Sequence, residues 1–148
     1  MEIDPNALVI TRDQITINAP LEKVWEVFTA VSAWPEWQTD IESAELDEPL
    51  GVGTTIHWTT AGMSIGSTVG EFIPGERIGW SGLARGIMGI HIWKFAAVEG
   101  GTLVQTEESW DGASVRPQID LFQGMLDQAI RSWLEKLKAA AEVTSATG

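Results

Sequence analysis

PQIDLFQGMLDQAIRSWLEKLKAAA, residues 117–141, decides the fold. Pro117 suits the opening of a helix, where its missing N–H would have no partner anyway. Ile119, Phe122, Leu126, Ile130, Trp133, Leu134 and Leu137 then recur at helical spacing and form one apolar stripe. The stripe needs a surface to bury it, and the preceding 70 or so residues supply one. Short β-rich runs at 41–47, 54–60, 64–73, 76–82, 87–96 and 102–111 are punctuated by Gly51, Gly53, Gly62, Pro74-Gly75, Gly82, Gly86 and Gly100-Gly101. The turns are too short for crossover connections, so the sheet is antiparallel.

A further strand is expected at 8–17, ended by Asn18-Ala19-Pro20. Pro20, Glu22 and the spacing of Val24, Val27, Phe28 and Val31 predict a short helix over about 20–30. Ser32 can cap another turn through Trp34-Pro35-Glu36-Trp37. The expected class is α+β: a curved antiparallel sheet of about seven strands wrapped round a long C-terminal helix, with two short helices after the first strand. Space left between sheet and helix becomes a cavity. Residues 1–148 read as a single domain, with frayed ends about 1–7 and 142–148.

Composition excludes several functions. The chain has no cysteine, so thiolate catalysis and Cys-based zinc sites are ruled out. Its net charge of -12 repels nucleic acid and anionic membrane surfaces. The acidic N-terminus is not a secretory signal, and no segment is long and apolar enough for membrane insertion, so a cytoplasmic protein is expected. Eight tryptophans with no tyrosine suit a core or a pocket for apolar ligands. No nucleotide-binding glycine fingerprint and no nucleophile elbow is present. No cofactor and no metal is expected.

Three stretches carry a family resemblance: APLEKVWEVFTAVSAWPEW (19–37), GVGTTIHW (51–58), and GIHIWKF (89–95) with GGTLVQTEESWDG (100–112). They resemble the START-like, Bet v 1-like (SRPBCC) superfamily, and within it the polyketide cyclase/dehydrase-like bacterial proteins. The resemblance implies the helix-grip fold over nearly the whole chain. It does not select a function, because that superfamily includes lipid carriers, hormone receptors and cyclases.

Strand parity nominates the residues that see the interior. Lys94 belongs outside, which turns His91, Trp93 and Phe95 inward. On the last strand Val104, Thr106, Glu108 and Trp110 are the inward set. A two-residue turn at Glu99-Gly100 places Phe95 opposite Val104, Trp93 opposite Thr106, and His91 opposite Glu108. Such a pair can serve as a general acid/base, with the carboxylate raising the histidine's pKa towards or above neutrality. It can equally be a mutually satisfied polar pair or an anchor for a ligand head group. Trp58, Trp80, Trp93 and Trp110 from the strands, and Phe122, Leu126 and Ile130 from the helix, are expected to line the same space. Trp133 and Leu137 would close the far end of the core, Trp34 and Trp37 would staple the short helices, and His57 would face solvent.

The sequence thus predicts a binder of a small hydrophobic molecule such as a lipid, isoprenoid, quinone or polyketide. The alternatives are a cyclase/dehydratase-type enzyme using His91 and Glu108, and a protein-interaction module. The ligand's identity and the oligomeric state are not encoded in any motif.

Overall fold

A computed structural model describes residues 1–146, so Thr147 and Gly148, at the end expected to fray, lie outside the described residues. The strands are β1 (Val9–Ile17), β2 (Ile41–Leu46), β3 (Thr55–Thr60), β4 (Met63–Ile73), β5 (Arg77–Ala84), β6 (Ile87–Val98) and β7 (Gly101–Asp111). Between β1 and β2 lie α1 (Leu21–Thr29) and the single turn α2 (Trp34–Trp37), and α3 (Ile119–Ala146) ends the described chain. One curved sheet runs in the order β1-β7-β6-β5-β4-β3-β2, all pairs antiparallel. The strands from β2 onward form a meander, and β1 closes against the last of them.

Alternation gives the sheet its two faces. Ile17, Ile56, Val69, Ile78, Trp93, Phe95 and Val104 are buried on the concave side. Leu126, Ile130, Leu134 and Leu137 of α3 are fully buried against it, as the stripe requires. Its first member departs from expectation: Ile119 is 37% exposed. The helix also starts later and ends later than residues 117–141. Pro117 sits in a 3-10 turn, Arg116–Gln118, and the run of alanines carries α3 on to Ala146. Lys138 Nζ meets Glu142 Oε2 at 2.6 Å one turn on, and the same carboxylate accepts the Asn18 N–H at 2.8 Å.

Two further expectations are corrected. Ser32 caps nothing, because it lies inside a 3-10 turn, Val31–Ala33, that runs straight into α2. Residues 1–7 have no regular structure but pack on the sheet's outer face instead of fraying. Ile3 is buried, the Asp4 N–H donates to Ser109 Oγ at 3.1 Å, and Met1 occupies a slot over Gly70 and Gly79. A Cβ at either glycine would come within 2.9 Å of its sulfur.

Leu126→Ala is expected to cost about 2–5 kcal/mol, since it empties a fully buried position. Gln128→Ala, on the exposed side of α3, should leave the urea midpoint almost unmoved. Equal losses from the two would contradict the assigned face.

Candidate functional site

The β6–β7 hairpin turns at Glu99-Gly100, and its ladder pairs Val98 with Gly101, Phe95 with Val104, Trp93 with Thr106 and His91 with Glu108. The register is the one counted from the sequence. A two-residue turn leaves no slack, so one inward residue fixes all the others.

His91 is the buried centre of a hydrogen-bonded chain. Its Nε2 lies 2.8 Å from Thr106 Oγ1, and the Thr106 hydroxyl donates to the Ile92 carbonyl at 2.9 Å. With that proton committed, Thr106 accepts from His91, which assigns the imidazole proton to Nε2. Nδ1 is then a bare acceptor, 3.2 Å from Glu108 Oε1. A contact between two acceptors would repel, so a proton lies between them. Trp110 Nε1 donates to the other carboxyl oxygen, Oε2, at 3.0 Å.

Burial decides which partner holds the proton. It pushes the His91 imidazolium down to about 3 and the Glu108 carboxyl up to about 7. Near neutrality and below, the pair is therefore a carboxylic acid donating to a neutral imidazole. This corrects the expected rise in the histidine's pKa. Attraction to a carboxylate would raise it, but an ion pair here must desolvate two charges at once. The Trp110 N–H, which favours the carboxylate, is too little to reverse this.

The two partners differ in access. The His91 side chain is 5% exposed and that of Glu108 17%. Behind His91 the chain ends on a backbone carbonyl, which cannot pass a proton on. Glu108 is the member a ligand can touch, and His91 positions it.

Around His91 the concave side is filled with rings. Phe28 and Trp93 centroids are 4.6 Å apart, and Trp80 and His91 5.2 Å. Trp133 lies within 6.5 Å of the rings of Phe28, Trp34, Trp37, His91 and Trp93. Beyond this cluster, towards the β3–β4 and β5–β6 turns, the same face becomes accessible. Trp58, Ile65, Gly82, Gly89, Trp110 and Phe122 are each only partly buried. Glu108 sits at the boundary between the two zones.

Residues 9–142 match the family model described as polyketide cyclase / dehydrase and lipid transport. The chain belongs to that family. Many solved structures share the fold of this family member. The hypothetical protein jhp0584 from Helicobacter pylori is 18% identical with a TM-score of 0.82, over 94% of this chain and 91% of that one. The di-domain ARO/CYC StfQ from the steffimycin biosynthetic pathway is 16% identical with a TM-score of 0.79, over 93% and 52%. A START superfamily protein from Mycobacterium smegmatis is 11% identical with a TM-score of 0.77, over 91% and 98%. At these identities the likeness is one of fold. A comparison with curated proteins finds no match.

Within this family member, the residues nominated from sequence divide into two groups. Trp80, His91, Trp93, Phe95, Thr106, Leu126 and Ile130 are buried, while Trp58, Glu108, Trp110 and Phe122 border the accessible zone. Trp110 and Phe122 meet edge to face at 6.1 Å, joining β7 to α3. The sequence places Trp133 at the far end of the core and Trp34 as a staple of the short helices. Both belong to the central ring cluster, and Trp34 Nε1 donates to the Phe28 carbonyl at 2.8 Å. His57 is exposed, 3.9 Å from Asp47. Two open grooves of about 410 and 420 Å³ lie on the outer face, lined in part by Arg12, Lys94 and Glu107 and by Glu45, His57 and Ser64 respectively. Among the described residues no group of three or more carboxylates and imidazoles could hold a metal ion, and no helix is long and apolar enough to cross a membrane.

Proposed function

We propose that this chain binds a small, mainly apolar molecule at the accessible end of the concave face, with a polar group of that molecule held at Glu108. One observation carries the reading: a carboxyl kept protonated by burial, oriented by His91 and Trp110, at the edge of a strip bordered by Trp58, Trp110 and Phe122. Apolar strips with a few placed polar groups are the usual form of a small-molecule site. The family's description, which includes lipid transport, supports the same reading.

A second reading, acid/base catalysis of the cyclase or dehydratase type, is favoured by the Glu108 carboxyl titrating at about 7, where it can both give and take a proton. In that case Glu108 is the reacting group.

Titration with neutral N-phenyl-1-naphthylamine tests the binding reading. Probe emission should rise saturably, and Trp110→Ala should weaken binding roughly tenfold, about the loss of one aromatic contact with its buried area. No saturable signal from the wild type would remove both readings. If Glu108→Gln binds the probe normally yet abolishes turnover of a substrate found for the wild type, catalysis is the better description.

A further inference from the structure

Gly89 lies on the concave face of β6, opposite Gly82 of β5 on one side and Trp110 of β7 on the other. Two neighbouring positions thus lack side chains on a face that elsewhere carries large ones. The reasons for the two glycines differ. A Cβ at Gly82 would come within 2.6 Å of the Gly66 carbonyl oxygen, so close backbone packing demands glycine there. At Gly89 nothing of the kind applies. Its φ is not positive, so the backbone does not need glycine. A Cβ would meet the Trp110 ring at 3.5 Å and Glu108 Oε2 at 3.6 Å, both ordinary contact distances. Glycine inside a strand costs about 0.5–1 kcal/mol relative to alanine. Position 89 carries this cost although an alanine Cβ would fit there without a clash. A side chain here would pack on the edge of the Trp110 ring and stand over Glu108 Oε2.

The hydrogen bonds say what such an opening admits. The Oε1 proton is directed at His91, and Oε2 already accepts the Trp110 N–H. A carboxyl oxygen has a second lone pair, the Glu108 side chain is 17% exposed, and a side chain at position 89 would begin only 3.6 Å from Oε2. We propose that Gly89 is the opening through which a ligand reaches Glu108, and that it admits a hydrogen-bond donor such as a hydroxyl to Oε2. The proposal rests on the reading of this zone as the ligand site, and its test separates the two.

The opening is tested without any ligand by labelling carboxyls with a water-soluble carbodiimide and glycine ethyl ester at pH 6, read by peptide mass spectrometry. Wild-type Glu108 should label. Gly89→Ala should cut that labelling at least tenfold while leaving exposed Glu45 unchanged, and Gly89→Ser should repeat the result. Equal labelling in wild type and Gly89→Ala would overturn the proposal, and so would an unlabelled Glu108 in the wild type. The donor preference is tested with 2-naphthol and 2-methoxynaphthalene. Wild type should bind the naphthol about tenfold more tightly, and Gly89→Ala should lose that preference. Equal wild-type affinities would overturn the donor selection. Labelling blocked by Gly89→Ala with no binding of either naphthalene would uphold the opening and sink the ligand-binding reading.

Discussion

Trp93→Ala should destabilise the protein by about 3–5 kcal/mol, the range for removing a fully buried large ring. Trp93 has no exposed surface, and its ring lies 4.6 Å from Phe28, 4.9 Å from His91 and 5.5 Å from Trp133. The cluster links β6, α1 and α3, so the cavity cannot be closed by moving one side chain. Trp93→Phe should cost clearly less, for a specific reason. Trp93 Nε1 is buried with no hydrogen-bond partner among the described residues, as is Trp37 Nε1. An unsatisfied buried donor costs about 1–3 kcal/mol, which phenylalanine recovers while giving up part of the ring. Both tryptophans set their rings steeply against Trp133, a geometry in which an N–H can point at a π face for partial compensation. Urea denaturation of the two variants measures the difference. A loss below about 1 kcal/mol for Trp93→Ala would show that the rings are not close-packed.

Much of this arrangement is written in short-range patterns. The apolar stripe of α3 has the helical period, and the hairpin register follows from one two-residue turn and the outward demand of Lys94. What escapes the sequence depends on surroundings that neither pattern contains. The direction of the His91 shift is one case. Ladder position shows that a carboxyl stands opposite, but the balance between attraction and desolvation depends on how many rings enclose the pair. Trp133 is another. Spacing puts it on the buried stripe, whereas its place under His91 follows from how α3 lies across the sheet. Gly82 reads as turn punctuation and proves to be strand interior, with the turn at Arg85-Gly86, where both residues have positive φ. The missing signal was that a glycine within an alternating run marks close backbone approach rather than a turn. The N-terminal segment was illegible for a similar reason. It has no periodicity of its own, and its slot is made by Gly70 and Gly79, far along the chain.

Glu108→Gln should leave stability near pH 4.5 almost unchanged and alter how stability depends on pH above that. Glutamine keeps the shape, can donate to His91 Nδ1 and can accept from Trp110. What it removes is the proton. In the wild type the folded carboxyl titrates at about 7 and the unfolded one at 4.5, so the native state holds an extra proton between these values. Stability from this group is therefore lost as pH rises from 4.5 to about 7, a change on the order of 3 kcal/mol. His91 behaves oppositely. Its folded pKa of about 3 lies below the unfolded 6.5, so stability is lost as pH falls through that window. From 4.5 to 6.5 the two trends offset: folding moves one proton from imidazole to carboxyl and binds none. The pair should thus contribute a flat stability across that range in the wild type. In Glu108→Gln only the histidine trend survives, so stability should fall steadily from pH 6.5 towards 4.5, and the variant should gain on the wild type as pH rises from 4.5 to about 7, keeping that advantage above it. Urea midpoints at half-unit pH intervals give both curves. ¹⁵N spectra of His91 at pH 6 give the microscopic check, with one ring nitrogen protonated and the other bare. Two protonated ring nitrogens at that pH, or parallel stability curves for the two proteins, would mean that the pair is an ion pair and that burial does not govern it.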